Sequence, residues 1–314
     1  MKIISTLLVA SVLLVSCHQY EKTKSGLVYK ITSGGNSQKL KQGDLVKMNI
    51  EFKMGGAKDT ILNSTYGHIA QYIKIDTAQL KAAKHNFTEV IMLLAQGDKL
   101  EFIMNIDTLK KLGMIPEGNP IFAKRDVIKG RLEILKVFTK DDEANADYKK
   151  EIDSEKDREV AELGKYISSK GIKATKTAEG VYVEVKNAGT DPKADTGKQA
   201  SVFYKGYTVD GKVFDANMGA TAMHKDPLVL VLGKHSVIPG WEIGLKYFGK
   251  GGKGTIFIPA MMAYGPQGQP PAIGPFANLI FDIEVADVTT PAPQQAMPQM
   301  PQMQGQAPNP HQRP

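Results

Sequence analysis

Residues 202–207 alternate between apolar and polar side chains, which is the pattern of a strand with one buried face. Asp210-Gly211 follows this segment and predicts a hairpin turn. Further short strands are predicted at 213–215, 228–232, 255–259 and 279–288. Residues 241–248 predict one short helix that Gly249 would end. About five strands around one short helix indicate an α+β domain.

A repeat spaced by 154 residues runs through the chain. Residues 25–31 match residues 179–185, because in each segment the second residue is glycine and alternating apolar positions follow it. At the same spacing Gly35 matches Gly189, Gly43 matches Gly197, and residues 96–99 match residues 250–253. A constant spacing over this length predicts two copies of one domain, at residues 23–140 and 178–288.

The segment between the two copies, residues 141–177, is predicted to be a helical linker. Residues 141–170 are rich in Glu, Asp, Lys and Ala and contain no proline. A narrow apolar stripe at helical spacing consists of Tyr148, Ile152, Val160, Leu163 and Ile167. We expect this helix to act as a spacer. The alternative is that its apolar stripe forms a dimer seam.

The composition changes sharply after residue 288. Residues 289–314 contain seven Pro and seven Gln, with methionines interspersed, so this segment cannot bury a core. We expect a solvated, disordered tail there, with a partner-binding role for its Pro-Gln-Met triplets as the alternative.

The amino terminus begins with Met1-Lys2 and continues as the apolar run 3–15. This run is too short to cross a bilayer and predicts a signal peptide over residues 1–16. It ends in Leu14-Val15-Ser16-Cys17, which resembles a bacterial lipobox. The resemblance implies cleavage before Cys17 and a lipid on its sulfur. The alternative is an ordinary cleavage site beside a free or buried cysteine.

Cys17 is the only cysteine of the chain, which excludes an internal disulfide framework and a cysteine-rich zinc site. More than one acyl chain on this residue would anchor the protein stably. We therefore expect a soluble body tethered to a membrane outside the cytoplasm. His18 rather than Asp follows the cysteine, which favours the outer membrane, facing the periplasm.

The net charge of +7 is unevenly distributed along the chain. Residues 18–140 carry a net +8, residues 141–180 carry −3, and residues 181–288 carry zero. A basic first half suits acidic lipid headgroups or cell-wall polymers near the anchor, while an ordinary solvated lysine-rich surface is the alternative. Nucleic acid is not an expected partner outside the cytoplasm.

Several motifs of the second copy occur in a fixed order. They are Tyr204-x-Gly206, Asp210-Gly211-x-Val213-Phe214-Asp215, Leu232-Gly233, Val237-Ile238-x-Gly240-Trp241-Glu242-x-Gly244, Ile258-Pro259, Ala263-Tyr264-Gly265 and Leu279-x-Phe281-x-Ile283-Glu284. Together they closely resemble the FKBP-type peptidyl-prolyl cis–trans isomerases. The resemblance implies an antiparallel sheet wrapped around a short helix, with an apolar pocket between them. It implies neither a metal nor a cofactor.

The resemblance also implies which residues form the pocket. They are Tyr204, Phe214, Asp215, Leu228, Val237, Ile238, Trp241, Tyr264, Ala272, Ile273 and Phe281. Trp241 would form the floor, Asp215 would lie at the wall, and the Tyr264 hydroxyl and the Ile238 N–H would each hold a substrate carbonyl. Leu228 and Ala272 are smaller than the residues usual in the family, so we expect a smaller rim. Without the family pattern, the apolar members would be interpreted as ordinary core.

The first copy has lost most of this pocket. The spacing aligns Ile50 with Tyr204, Phe87 with Trp241, Lys84 with Ile238, either Leu62 or Asn63 with Asp215, and, after a three-residue shift, Gly130 with Phe281. A lysine beside a pocket that should be dry is unfavourable. We therefore expect an FKBP-like fold without isomerase activity in residues 23–140.

These observations predict a lipid-anchored prolyl isomerase that assists the folding of exported proteins. The expected partners are unfolded or proline-containing exported polypeptides, the membrane through Cys17, and a second copy of the chain if the linker helix dimerises. The alternative is a non-catalytic chaperone or client-binding lipoprotein that grips such segments without isomerising them.

Overall fold

A computed structural model describes residues 19–55, 60–82 and 84–291. The predicted signal peptide, the lipidation motif with Cys17 and nearly all of the predicted tail lie outside these residues. The description below is therefore of the two repeated domains and the segment that joins them.

Seven strands form the first sheet, and all of their pairings are antiparallel. The strands are β1 (Glu21–Lys22), β2 (Val28–Thr32), β3 (Leu45–Gly55), β4 (Thr60–Ser64), β5 (Gln71–Lys74), β6 (Lys99–Asn105) and β7 (Val127–Phe138). Their order is β1-β2-β6-β7-β3-β4, and β5 also pairs with β3. The helices of this domain are α1 (Thr77–Ala82) and α2 (Ile106–Lys111), with 3-10 turns at Phe87–Glu89 and Ile91–Leu93.

Alternating burial explains why the sheet has one core face. On β3 the side chains of Val46, Met48 and Ile50 are buried, while those between them are partly exposed. Successive side chains of a strand point to opposite faces, so this alternation places the apolar set on one side.

The second sheet repeats the first. The next strands are β8 (Thr175–Lys176), β9 (Tyr182–Asn187), β10 (Thr190–Lys193), β11 (Gln199–Thr208), β12 (Val213–Ala216), β13 (Leu228–Val231), β14 (Gly249–Lys250), β15 (Lys253–Ile258) and β16 (Leu279–Thr289). The sheet order is β12-β11-β16-β15-β9-β8, with β13 beside β11, while β10 and β14 form a separate pair. Each strand of the first sheet thus has a counterpart in the same place. The predicted fold class, two antiparallel α+β domains joined by a helix, is confirmed.

The short helix of the second domain is α4 (Pro239–Leu245). Proline at its start lacks the N–H that would have no partner there, and its fixed φ suits a first helical turn. Trp241 and Leu245 lie on its buried face. The sequence predicted a helix over 241–248, but the chain leaves the helix earlier. The N–H of Phe248 bonds to the carbonyl of Leu245 in a tighter turn, which leads into β14.

The long helix between the domains is α3 (Asp141–Ser169). Three acidic residues in its first turn, Asp141, Asp142 and Glu143, are favourable at the positive end of the helix dipole. Within the predicted apolar stripe, Leu163 and Ile167 are buried and Tyr148 is 43% exposed. None of the helices in the described ranges is long and apolar enough to cross a membrane.

The contacts of the chain divide it into two compact units that differ from the sequence repeat. The first unit comprises residues up to 166 together with 259–278, and the second comprises 167–258 and the residues from 279 onward. The segment 259–278 contains 3-10 turns at Ala260–Met262 and Gly265–Gln267. It lies between β15 and β16 in the sequence, yet it belongs to the first unit.

Two contacts hold this segment within the first unit. The N–H of Met261 donates to Oε2 of Glu159 on α3 at 2.8 Å, and Glu159 is buried. The ring of Phe276 stacks on that of His68, with centroids 4.1 Å apart and planes 11° apart. A buried hydrogen bond and a stacked ring pair therefore fix the segment at two points.

Three phenylalanines fill the core of the first domain where the second domain was expected to have its pocket. The rings of Phe52, Phe87 and Phe102 lie 5.7 to 6.4 Å apart. Gly130 makes room for them, because a Cβ there would lie 2.0 Å from the Cζ of Phe102. Aromatic rings at these separations pack favourably, so the three side chains form one packed cluster beside Gly130.

We expect Gly130→Ala to destabilise the first domain by about 1–3 kcal/mol, because the added methyl group overpacks a filled core. Denaturant unfolding of the full chain, followed by a probe in the first domain, measures the change. Gly118→Ala is the matched control, because nothing lies within 4 Å of a Cβ built at Gly118. Equal midpoints for the two variants would contradict the close packing at Gly130.

We also expect the first unit to become less stable as the pH rises from about 4.5 to about 7. Burial raises the pKa of the Glu159 carboxyl from 4.5 to about 7, the nearby Glu155 carboxylate acts in the same direction, and the Met261 N–H only partly opposes them. A carboxyl whose pKa is raised on folding binds a proton more tightly in the folded state, so its contribution is lost as the pH rises through that range.

The measurement is the difference in thermal midpoint between the wild-type chain and Glu159→Gln at pH 5, 6, 7 and 8. The wild type should lose stability relative to the variant as the pH rises. Glu162→Gln, on the same helix and 56% exposed, should give a difference that does not change with pH. A constant difference for Glu159→Gln would show that this carboxyl does not titrate in the range.

Candidate active site

An aromatic cluster lies in the second unit, on the core face of the sheet and the buried face of α4. Edge-to-face contacts join Tyr204 to Trp241 at 5.1 Å, Trp241 to Phe281 at 5.2 Å and Phe214 to Phe281 at 5.6 Å. Tyr204 and Phe281 are 6.2 Å apart and tilted by 58°. The structure thus brings together the four aromatic residues of this unit that the sequence predicted for the pocket.

Strand register explains how the cluster forms. On β11, Tyr204 and Gly206 point to the same face, and Gly206 lies opposite Phe281 on β16. A Cβ at Gly206 would lie 2.7 Å from both the Phe214 and the Phe281 rings. Glycine at this position is what allows the two rings to meet across the strand.

A carboxylate lies at the edge of the cluster. Asp215 on β12 accepts a 2.5 Å hydrogen bond from the Tyr204 hydroxyl through Oδ2. Its Oδ1 lies 3.2 Å from Nε2 of His224. The Asp215 side chain remains 41% exposed, so the group faces solvent on one side and the aromatic cluster on the other.

Three other predicted residues lie in the same unit on different elements. Val237 and Ile238 are partly buried and immediately precede α4, with Ile238 at its N-cap in an extended conformation. The carbonyl of Ile238 accepts the N–H of Trp241. Leu228 begins β13 and pairs with Val202 of β11, with its side chain partly buried.

The remaining predicted residues, Tyr264, Ala272 and Ile273, lie in the segment 259–278, which belongs to the first unit. Tyr264 is 37% exposed and immediately precedes the 3-10 turn at Gly265–Gln267. Ile273 is buried and exchanges two backbone hydrogen bonds with Gln269.

Two residues near Asp215 were not predicted from the sequence. They are His224 and Asn217. Asn217 is buried and accepts the Tyr204 N–H, while its own amide donates to the carbonyls of Val202 and Asp226.

The corresponding positions of the first domain carry different types of residue. In the second domain Gly206 pairs with Asp215, and in the first Phe52 pairs with Asn63. Asn63, and not Leu62, is therefore the counterpart of Asp215. Phe52 also pairs with Gly130, which confirms the register that aligned Gly130 with Phe281.

Chemically, the site offers apolar aromatic walls and one hydrogen-bonded carboxylate. Among the described residues, no cluster of three or more His, Cys, Asp or Glu side chains is arranged to hold a metal ion. Such a site suits the enclosure of an apolar group, with polar contacts at its rim.

Comparison with known proteins shows what the second domain is similar to. Residues 190–286 match the family model of the FKBP-type peptidyl-prolyl cis-trans isomerase. FK506-binding protein 4 of Dictyostelium discoideum is 39% identical over 106 residues, which are 34% of this chain and 28% of that protein. The FKBP-type peptidyl-prolyl cis-trans isomerase FkpA of Escherichia coli K12 is 40% identical over 129 residues, 41% of this chain and 44% of that protein.

A relative from Neisseria meningitidis that also carries the name FkpA is 30% identical over 161 residues, 51% of this chain and 56% of its own length. The chain thus spans less than two thirds of each of these relatives. Residues 190–286 are therefore similar to the FKBP-type peptidyl-prolyl cis-trans isomerase family.

Proposed function

We propose that the second domain catalyses cis–trans isomerisation of X–Pro bonds. The observation that carries the proposal is the edge-to-face arrangement of Tyr204, Trp241, Phe281 and Phe214 beside Asp215, inside the segment that matches the family. These four rings form an apolar surface that excludes water and suits a proline ring.

The physics of the reaction suits this surface. Rotation about an X–Pro bond crosses a barrier of roughly 18–20 kcal/mol because the amide has partial double-bond character. The planar amide is polarised, and the twisted transition state is less so. A site that excludes water removes the solvent that favours the planar form. Walls that fit the twisted form better than the planar one add differential binding.

The residue roles follow from their positions. The buried Trp241 would support the proline ring from below, and the bond from the Tyr204 hydroxyl would hold Asp215 at the wall. We assign the Tyr264 hydroxyl and the Ile238 N–H the role of binding substrate carbonyls, as the family resemblance implies. No nucleophile, proton carrier or cofactor is needed for this reaction.

The first domain should lack this activity. The rings that cluster near the equivalent position are phenylalanines, and asparagine stands in place of the carboxylate. We propose that it serves as a scaffold and client-contacting domain.

We further propose that the protein is tethered outside the cytoplasm through a lipid on Cys17, where it acts on proline-containing exported polypeptides. The apolar run 3–15 ending at the only cysteine supports this placement. The outer membrane, facing the periplasm, is the proposed location because His18 rather than Asp follows Cys17.

The full chain should accelerate a proline-limited refolding reaction, and Asp215→Ala should lower kcat/KM roughly tenfold, or about 1.4 kcal/mol of transition-state stabilisation. The loss arises because the Tyr204 hydroxyl loses its partner and the wall loses its fixed geometry. Asn63→Ala, the matched position in the first domain, should leave the rate unchanged.

A wild-type chain that suppresses client aggregation without accelerating the slow refolding phase would overturn catalysis. It would support a non-catalytic client-binding role instead. Equal rates for wild type and Asp215→Ala would contradict the role given to Asp215.

In cells of a lipoprotein-processing bacterium, we expect the full chain to incorporate radiolabelled fatty acid and to sediment with membranes. Cys17→Ser should abolish the label and release the protein into the soluble fraction, because the thiol that carries the lipid is gone. Retention of the label in Cys17→Ser would overturn the assignment.

A further inference from the structure

The imidazole of His224 lies directly beside the carboxylate at the edge of the aromatic cluster. Its Nε2 is 3.2 Å from Oδ1 of Asp215 and 3.5 Å from the Tyr204 hydroxyl. The rings of His224 and Tyr204 also meet edge to face at 6.0 Å. With the Tyr204 hydroxyl on Oδ2, each oxygen of Asp215 has its own hydrogen-bonding partner.

The backbone around His224 holds it in this place. The N–H of Met223, its neighbour, donates to the carbonyl of Ala216 at 2.8 Å, and Ala216 directly follows Asp215. Farther along the loop, the buried amide of Asn217 donates to the carbonyl of Asp226 at 3.0 Å. The loop is thus closed on both sides of His224.

The first domain lacks this loop. Its connection between β4 and β5 spans only residues 65–70, whereas residues 217–227 join β12 to β13. The hydrogen bond at the start of the connection is retained, because the Thr65 hydroxyl accepts the Ile50 N–H as Asn217 accepts the Tyr204 N–H. The added length that carries His224 occurs only beside the domain with the carboxylate.

We propose that His224 is a positioning residue that fixes Asp215, and through it the Tyr204 ring, and that it makes isomerase activity dependent on pH. This rests on the proposed function of the second domain. His224 acts from outside the aromatic cluster and touches no part of the substrate in this role.

The charge of the imidazole sets the direction of the effect. A histidine side chain ordinarily changes charge between pH 5 and 8. The titratable groups that face this ring are Asp215 from β12 and the Tyr204 hydroxyl from β11, while Lys225 and Asp226 follow it in the loop. An imidazolium donates a charge-assisted hydrogen bond to Asp215, which is stronger than the bond from a neutral ring. The site is therefore held most firmly at acidic pH.

The experiment measures kcat/KM of the full chain on a proline-containing tetrapeptide from pH 5.5 to 8.5. For the wild type, we expect a several-fold fall as the pH rises over this range. His224→Gln should give a lower, flat profile, because glutamine never carries the charge. His224→Lys should keep the high value up to pH 8, because its ammonium group remains charged.

His235→Gln is the matched control. His235 lies in the same domain, is 85% exposed and contacts Glu242 on α4, so its variant should keep the wild-type profile. A flat wild-type profile, or a His224→Gln profile that falls with pH as the wild type does, would overturn the proposal.

A second measurement does not depend on activity. In the imidazole ¹⁵N spectrum of the full chain at pH 6, Asp215→Asn should shift the His224 resonances and leave those of His235 in place. A shift in a chain that is inactive at every pH would reject the isomerase function but retain the contact. Unchanged His224 resonances would reject the contact itself.

Discussion

The second domain depends on a cross-strand pair in which Gly206 of β11 faces Phe281 of β16. Because Gly206 has no side chain, the Phe214 and Phe281 rings can meet above it, and Trp241 and Tyr204 can close the cluster. A methyl group at that position would displace both rings. The site is therefore created by a missing side chain in the sheet as much as by the aromatic residues around it.

In the sheet of the first domain, the glycine and the phenylalanine of this pair exchange places. Its phenylalanine, Phe52, is on the strand that corresponds to β11, and its glycine, Gly130, is on the strand that corresponds to β16. The Phe52 ring then packs with Phe87 and Phe102. The same strand order thus accommodates two different aromatic clusters. They differ in which of the two facing strand positions carries the phenylalanine.

Much of this organisation could be predicted because it is local or periodic. Alternation located the strands of the second domain, and the 154-residue spacing related Ile50 to Tyr204 and Phe87 to Trp241. The choice between Leu62 and Asn63 needed the register of β3 and β4, which includes an irregularity between Phe52 and Lys53. The contact of His224 with Asp215 depends on how a loop closes through Asn217, and periodicity carries no information about such closure. The bond between Glu159 and Met261 joins residues 102 positions apart in sequence, so no local pattern reports it.

The membership of residues 259–278 in the first unit has a consequence for the way the chain can be divided. The polypeptide passes from one unit to the other three times: after residue 166, after residue 258 and after residue 278. Cleaving the helix between the repeats would remove only one of these connections. A fragment that begins at residue 178 would lose the short strand β8, its Met261 N–H would lose Glu159 and its Phe276 ring would lose His68. The sequence repeat is therefore not a guide to where this protein can be cut into independent parts.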